Sequence, residues 1–566
     1  MSEPGRCDVS TVEWRSSPPF DGGLPGRLAR RPRISVEALA VATSVFFTVF
    51  CNGAFWQGVA ATGALRGASG WLTAASLFVA ITALHAVLLL LVLGRRTAKP
   101  VLTLLFLVTA LAVHYMDQYT VYFDPDMVRN VLHTDSKEAG ELLTLGLAWP
   151  LLILFALPTA VIWWVQLKER AIGRALLVRG LALLVAVVVA AGAMLASFQD
   201  LSSLMHDHTE LRHLITPGNY LVSAVKVIQD ANRSTGPRTP LGRDAKVAGR
   251  ATTAKPRLLV VVLGETVRAQ NWGLNGYVRQ TTPELAKIGP VNFPDVTACG
   301  SSTEVSVPCM FSPFGRAHYD KQRIQRSESL LHVLEHAGIG TLWRDNQTGC
   351  KGVCEGLAYE SFEHATDPEL CNAEGCQDEV MLRGLGAELD RRPGDRVVVL
   401  HQLGNHGPSY YLRYPQRLQR YMPACQRAEL GKCTRAEIVN AYDNAVLHTD
   451  EFVARTIRFL VSQSATRDTA LIYLSDHGES LGENGLYLHG VPYAIAPETQ
   501  TRVPMVMWLS PGLAAEQRID VACMRRNAAA PASHDNLFHS VLGLMQVSTR
   551  EYDQRLDLFR GCTQPG

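Results

Sequence analysis

The sequence lacks an excess of charge of either sign. Its 566 residues include 54 Lys and Arg against 52 Asp and Glu, a formal net charge of +2, which gives no indication of a nucleic-acid partner. Charged residues are also sparse between residues 34 and 198, where long apolar runs predominate. The rest of the chain has the mixed composition of a soluble α/β domain, and the length suffices for roughly two or three domains.

The 12 cysteines lack the C-x2-C spacing typical of zinc knuckles, which disfavours the alternative of zinc binding by cysteine clusters. Eight of them form four close pairs in the C-terminal half: Cys299/Cys309, Cys350/Cys354, Cys371/Cys376 and Cys425/Cys433. Close pairing in loop-like sequence predicts disulfides made in an oxidising compartment. Cys523 and Cys562 are candidates for a fifth bridge. Cys7 and Cys51 lie in or before the apolar region and are expected to be free thiols.

The N-terminal segment has no cleavage-site pattern. Residues 1–33 are rich in Gly, Pro and Arg and are predicted to form a disordered cytoplasmic tail. The Arg30-Arg31 pair allows a twin-arginine export signal as an alternative, but more apolar stretches follow it. We therefore expect a retained membrane anchor.

Five apolar stretches follow the tail, each near the ~20 residues that cross a bilayer. They lie at about 35–55, 71–94, 100–118, 144–166 and 177–198. Buried helices of soluble proteins seldom occur five in succession with so little charge between them. Residues 34–198 are therefore predicted to form a five-helix transmembrane domain.

The distribution of Lys and Arg between the spans predicts their orientation. The tail is basic and contains Arg6, Arg15, Arg27, Arg30, Arg31 and Arg33. The loop after span two contains Arg95, Arg96 and Lys99, and the loop after span four contains Lys168, Arg170, Arg174 and Arg179. The loop after span one has only Arg66, and in residues 119–143 five acidic residues outweigh Arg129 and Lys137. The N-terminus is thus predicted to be cytoplasmic. An odd number of spans then places the chain after residue 198 outside, where disulfides form.

Residues 199–256 are predicted to connect the two parts of the chain. Apolar residues in 199–230 are compatible with amphipathic helices at the membrane surface or with a helix packed on the soluble domain. Residues 231–256 are rich in Gly, Pro, Thr and Arg and are typical of a linker.

The soluble region, residues 257–566, opens with the continuous apolar run 258–263, which is typical of a buried parallel strand. Similar runs occur at 340–343, 397–400, 471–474 and 503–508, and residues 437–461 have helical periodicity. Strands that alternate with helices predict an α/β fold with a mostly parallel central sheet. In such folds, ligands bind beyond the carboxyl ends of the strands.

Polar side chains follow most of these predicted strands. Glu265, Asp476 and His477 are expected to meet at one edge of the sheet, where two carboxylates and an imidazole suit Zn²⁺. A lone Asp-His pair is more often a hydrogen-bonded cap, but several such sites on one edge favour a metal. Thr303 is a candidate fourth ligand, since coordination would lower the pKa of its hydroxyl and activate it as a nucleophile.

Thr303 lies in the stretch from Cys299 to Cys309, where three consecutive hydroxyl residues are bracketed by two cysteines. A rigid helix start that presents a nucleophile is one interpretation, and an ordinary loop is the other. Ser301 and Ser302 adjoin Thr303, so chemistry alone does not choose among the three hydroxyls.

Four segments, 264–269, 299–309, 401–408 and 475–483, resemble the phosphoethanolamine transferases, a family that modifies lipid A and includes the mobile colistin resistance enzymes. The resemblance extends over nearly the whole chain. It implies an alkaline-phosphatase/sulfatase-like fold, zinc held by Glu265, Thr303, Asp476 and His477, and Thr303 as the residue that carries the phosphoethanolamine intermediate.

The same resemblance implies a donor, an acceptor and a location. Phosphatidylethanolamine would donate the group to a lipid A phosphate, which would lower the negative charge of lipopolysaccharide and give polymyxin resistance. The protein would be a monomer in a bacterial inner membrane with residues 257–566 in the periplasm. His406 and His489 would surround the substrate phosphate or a second zinc, and the donor headgroup would lie near Lys351 with Asn346 or Gln347. Glu304, directly after the nucleophile, departs from the small or uncharged residue expected there and is expected to point away.

Alternatives remain for the reaction. The acceptor could be a lipopolysaccharide core sugar or another periplasmic glycan, or the enzyme could transfer glycerol phosphate. A type-one sulfatase needs a Cys/Ser-x-Pro-x-Arg signature, which is absent around Thr303. A membrane receptor or scaffold with an inactive domain would have lost some zinc ligands, whereas all four candidates are present.

Overall fold

The computed structural model describes residues 31–134, 136–233, 236–248 and 254–564. Residues 1–30 of the tail predicted at 1–33, Cys7 and part of the predicted linker lie outside the described residues.

Among the described residues, four helices are long and apolar enough to cross a membrane, and a bent pair is compatible with a fifth span. The helices of this region are α1 (Val36–Phe50), α2 (Gly53–Ala61), α3 (Gly67–Val92), α4 (Ala98–Tyr119), α5 (Pro125–His133), α6 (Ser136–Glu141), α7 (Leu145–Trp164) and α8 (Ile172–Ala196). The helices α1 and α2 form the bent pair, at an angle of 52°. Only 11% of the most apolar 18-residue stretch of α8 is buried inside the protein, so its apolar side chains suit contact with lipid.

Two further helices, α9 (Phe198–Asp207) and α10 (Gly218–Arg233), follow the last span. Their buried side chains include Leu204 and Tyr220, which pack with Phe55 and Met116 of the membrane helices. The segment after the last span therefore packs against α2 and the C-terminal end of α4.

The soluble region is built on an eight-stranded sheet. Its strands are β1 (Arg257–Gly264), β2 (Val291–Thr297), β3 (Gly340–Asp345), β4 (Tyr359–Ser361), β5 (Arg396–His401), β6 (Asp468–Ser475), β7 (Arg502–Leu509) and β8 (Ala532–Ser533). Their order is β8-β2-β7-β6-β1-β5-β3-β4, and β7 alone is antiparallel to its neighbours. The prediction of a mostly parallel sheet is confirmed.

Among the described residues, four two-stranded sheets join Arg33–Ile34 to Gln166–Leu167, Lys246–Val247 to Val547–Ser548, Cys371–Asn372 to Gly375–Cys376, and Ser480–Leu481 to Tyr487–Leu488.

Helices cover both faces of the sheet: α11 (Pro283–Ile288), α12 (Thr303–Met310), α13 (Lys321–Arg326), α14 (Leu330–His336), α15 (Leu385–Arg391), α16 (Arg435–Gln463), α17 (Glu498–Thr501), α18 (Pro511–Glu516), α19 (Val521–Asn527) and α20 (Asp535–Leu544). In β1, Leu259 and Val261 join one apolar cluster, whereas Leu258 and Val260 join the other. The alternation follows the two-residue period of a strand and explains why β1 is apolar throughout.

The sheet register aligns the ends of three strands. Gly264 at the end of β1 pairs with Ser475 at the end of β6, and Leu263 pairs with His401 at the end of β5. The residues that follow these strands therefore emerge at the same edge of the sheet.

Five disulfides link the soluble region: Cys299–Cys309, Cys350–Cys354, Cys371–Cys376, Cys425–Cys433 and Cys523–Cys562. Cys51 is a free buried thiol. These bridges match the close pairing in the sequence and agree with folding in an oxidising compartment.

The Cys523–Cys562 bridge closes a separation of 39 residues, against five for Cys371–Cys376. In the chain-entropy model, the longer loop restricts the unfolded chain by about 4 kcal/mol and the shorter one by about 2 kcal/mol. We expect Cys523→Ala/Cys562→Ala to lower the Tm of the purified protein more than Cys371→Ala/Cys376→Ala. Differential scanning fluorimetry in detergent measures this, and equal Tm losses would contradict the loop-length argument.

Candidate active site

The candidate nucleophile stands at the start of a helix. The helix α12 begins at Thr303, after the extended N-cap residue Ser302, and Thr303 is 4% exposed. Its Oγ1 lies 3.2 Å from Nε2 of His477 and 3.3 Å from Oε2 of Glu265. The hydroxyl of Ser301 instead donates to the carbonyl of Val491 at 2.6 Å. Of these two hydroxyls, that of Thr303 faces the acidic cluster.

Glu265, Asp476 and His477 form a buried group that suits a metal ion. Nε2 of His477 lies 3.5 Å from Oε1 of Glu265 and 3.3 Å from Oδ2 of Asp476. With Thr303, these contacts span 3.2–3.5 Å, close to the edge of about 3.3 Å of a tetrahedron with metal–ligand bonds of about 2.0 Å. Among the described residues, no hydrogen-bond donor reaches the buried Oδ2 of Asp476. The residues therefore fit a divalent metal, which would supply the missing positive charge.

Neighbouring groups orient these side chains. Nδ1 of His477 lies 2.9 Å from the carbonyl oxygen of Gly478, which leaves Nε2 directed at the cluster. Oδ1 of Asp476 accepts from the backbone N–H groups of His477 and Thr266. Burial lowers the pKa of His477 despite the opposing effect of Asp476, so the imidazole is held in the neutral form that binds metals.

His406 and His489 form a second group around Glu265. Gly404, at φ +52°, lets the loop before His406 approach β1 closely, since a Cβ there would lie 3.0 Å from the carbonyl oxygen of Glu265. Nδ1 of His489 lies 3.4 Å from Oε2 of the buried Glu479. Burial lowers the pKa of His489 to about 4 and that of His406 well below its ordinary value.

Of the three residues expected near the donor headgroup, the structure places two at the site and one away from it. Lys351 lines the same cavity as Thr303, and its Nζ donates to Oγ1 of Thr348 at 2.6 Å. Nε2 of Gln347 donates to Glu265 at 3.4 Å. Asn346 instead donates to Oδ1 of Asp378 at 2.9 Å and lies outside the cavity lining formed by the described residues.

A cavity of about 470 Å³ connects the polar site with the membrane region. One end holds Thr303, Lys351, His406 and His489, and the other is lined by apolar residues of α4, α5 and the segments beside them. Those apolar residues are Val108, Leu111, Ala112, Val121, Phe123, Met127, Val131, Leu142 and Leu143. The charge pattern of residues 119–143 predicts only topology, and nothing in it indicates that these residues form a wall of the site.

The α5–α6 segment is docked on the soluble region by ion pairs. Glu141 accepts two hydrogen bonds from Arg413, at 2.8 and 2.9 Å, and Asp126 pairs with Lys321. His133 contacts Glu304, which is buried and points away from Thr303, as expected from its position in a helix. The membrane region and the soluble region therefore share the cavity.

A membrane anchor, a parallel sheet with candidate metal ligands at its strand ends, and a candidate hydroxyl nucleophile at a helix start are the features of a membrane-bound member of the alkaline-phosphatase/sulfatase class. Comparison with family models agrees with this class. The Sulfatase model matches residues 257–547, and the "Phosphoethanolamine transferase EptA/EptB" model matches residues 81–231.

Individual relatives cover almost the whole chain. "Phosphoethanolamine transferase EptA" of Escherichia coli (strain K12) is 35% identical, over 95% of this chain and 98% of its own. "Phosphatidylethanolamine transferase Mcr-1" of Escherichia coli is 34% identical, over 94% and 98%. The integral membrane protein lipooligosaccharide phosphoethanolamine transferase A (EptA) from Neisseria meningitidis has a similar structure, with a TM-score of 0.89 at 36% identity, covering 94% of this chain and 100% of that chain. This chain belongs to the phosphoethanolamine transferase family and is a phosphoethanolamine transferase.

We predict that His406 and His489 serve the substrate phosphates more than the tightly bound metal, because the first group already offers four ligands with Thr303. His406→Ala and His489→Ala should keep most of the tightly bound metal, measured by elemental analysis, while transfer falls on the order of 10²-fold. The exposed His364 provides a matched control, His364→Ala, which should change neither. A variant that loses the tight metal would assign its histidine to the first metal site.

Proposed function

We propose that this enzyme transfers phosphoethanolamine from phosphatidylethanolamine to a phosphate of lipid A through a covalent intermediate on Thr303. The observation that carries the proposal is the shared cavity, in which the Thr303 hydroxyl lies at the polar end and membrane-region side chains line the apolar end. A donor with a charged headgroup and two acyl chains has the matching distribution of polarity.

The reaction has two displacement steps at phosphorus. Oγ1 of Thr303 attacks the donor phosphorus, the bond from phosphorus to the glycerol oxygen breaks, and diacylglycerol leaves with a proton on that oxygen. A phosphate oxygen of lipid A then attacks the phosphorus of the intermediate and releases Thr303. The N–H groups at the start of α12 would offset negative charge on the phosphoryl oxygens in both steps.

Zinc is the metal we assign to the group of Glu265, Thr303, Asp476 and His477, where it would lower the pKa of the Thr303 hydroxyl and offset phosphoryl charge. Carboxylate oxygens, a hydroxyl and a neutral imidazole are ligands that zinc accepts in tetrahedral sites. Glu265, His406 and His489 are arranged to surround the substrate phosphate or to hold a second zinc with substrate bound.

The location follows from the same proposal. The N-terminus is cytoplasmic and the soluble region is periplasmic, a topology supported by the charge bias of the loops and by the five disulfides. Addition of phosphoethanolamine would lower the negative charge of lipopolysaccharide and thereby reduce binding of cationic polymyxins. We propose that the enzyme acts as a monomer.

One relative suggests a different acceptor. "Kdo(2)-lipid A phosphoethanolamine 7''-transferase" of Escherichia coli (strain K12) is 25% identical over 90% of this chain, and its name specifies a different acceptor position. The four motif segments, which resemble transferases that modify lipid A, favour a lipid A phosphate. Mass spectrometry of lipopolysaccharide from cells with and without the enzyme distinguishes modified lipid A from modified core sugar.

We predict that Thr303→Ala lowers transfer by several orders of magnitude, because it removes the attacking oxygen. Ser301→Ala and Ser302→Ala should cost far less. The test is the intact mass of the enzyme after incubation with phosphatidylethanolamine and no acceptor, which should show one phosphoethanolamine adduct that maps to Thr303.

Two outcomes would contradict this assignment. One is an adduct of the same mass on the Thr303→Ala protein, and the other is an adduct that maps to Ser301 or Ser302 in the wild type. Metal content measured on the same samples separates loss of the nucleophile from loss of the metal.

A further inference from the structure

Glu304 is a buried carboxylate directly beside the candidate nucleophile, and its partner belongs to the membrane region. Oε1 of Glu304 lies 2.5 Å from Nδ1 of His133, at the end of α5, although 171 residues separate the two in sequence. The side chain of Glu304 is 4% exposed and that of His133 is 54% exposed. The contact therefore joins the first turn of α12 to α5.

Three basic side chains lie near the carboxyl group of Glu304. Burial raises the pKa of its carboxyl, but the hydrogen bond from His133 and the positive charges of Lys351 and Arg129 outweigh this effect and lower it. An ionised carboxylate only accepts hydrogen bonds, so Nδ1–H of His133 is the donor in this contact.

Glu304 and Thr303 face different cavities. Thr303 lines the lipid-compatible cavity described above, whereas Glu304 lines a neighbouring cavity of about 400 Å³. His133 and Lys351 line both cavities and thus stand between them. Glu304 therefore does not line the cavity in which the donor would lie, as far as the described residues define it.

The helix α5 is a wall of the cavity that holds Thr303. Met127 and Val131 of α5 line the apolar part of that cavity. The start of α5 is held by Asp126, which pairs with Lys321 of the soluble region, and its end is held by the contact between His133 and Glu304. Loss of the second contact would leave the C-terminal end of α5 without this hydrogen-bonded anchor.

We propose that Glu304 is a positioning residue that acts through His133 and fixes α5 as the wall against which the acyl chains of the donor lie. This inference rests on the proposed function, because it assumes a lipid donor. Glu304 contributes no atom to the phosphoryl transfer itself. Its effect is to keep the apolar wall at a fixed distance from Thr303.

The test compares Glu304→Ala, Glu304→Gln, His133→Ala and the double variant Glu304→Ala/His133→Ala in the full-length enzyme. We expect the KM for long-chain phosphatidylethanolamine to rise about tenfold in Glu304→Ala and His133→Ala, while kcat changes no more than about twofold. The double variant should match the single variants, since both remove the same contact. Glu304→Gln should recover most of the affinity, because its amide oxygen still accepts from His133.

Glu328→Gln is the matched control, since Glu328 lines the same neighbouring cavity but pairs with His336 of the soluble region. It should leave the KM unchanged. An unchanged KM in Glu304→Ala would overturn the proposal. A fall in kcat in Glu304→Ala that His133→Ala does not reproduce would also overturn it, because Glu304 would then act directly on the nucleophile.

Hydrogen exchange provides a readout that needs no substrate. Amides of residues 126–133 should exchange at least about tenfold faster in Glu304→Ala and His133→Ala than in the wild type and in Glu328→Gln. Equal exchange in all four proteins would overturn the positioning role. If the wild type failed to form the Thr303 adduct, the proposed function would fail, and the exchange data would still decide whether Glu304 holds α5.

Discussion

The register between β1 and β6 is the constraint on which the active site depends. Because Gly264 pairs with Ser475, the next residues on the two strands, Glu265 and Asp476, emerge side by side. A slip of one residue would turn each following side chain to the opposite face. Both strands are buried between two apolar clusters, so packing on both faces holds the register and thereby the spacing of the candidate metal ligands.

The two buried carboxylates of the candidate site, Glu265 and Asp476, require a positive charge nearby. Glu265 and Asp476 are fully buried, and burial of two carboxylates so close together is costly without a compensating positive charge. A divalent cation in the tetrahedral space between them, His477 and Thr303 would meet this requirement. The site is thus arranged to bind a metal, and the same arrangement directs the Thr303 hydroxyl toward the cavity that opens to the membrane region.

The membrane region does more than anchor the enzyme. The helices α4 and α5 supply the apolar wall of the cavity. Two ion pairs and the hydrogen bond between His133 and Glu304 fix the α5–α6 segment on the soluble region. The donor and the acceptor of the proposed reaction are both lipids, so a cavity shared between the two regions allows transfer without releasing either lipid into water. A soluble domain by itself would lack that wall.

The sequence by itself determined the apolar spans, the mostly parallel sheet and the close cysteine pairs, because hydrophobic periodicity and spacing are local properties of the chain. It also indicated Glu265, Asp476 and His477 as neighbours, since parallel strands end at a common edge. Only the tertiary structure decided that Asn346 donates to Asp378 and that Glu304 contacts His133. Such contacts depend on how distant segments dock. Glu304 and His133 are 171 positions apart in the sequence, and no local pattern indicates that they meet.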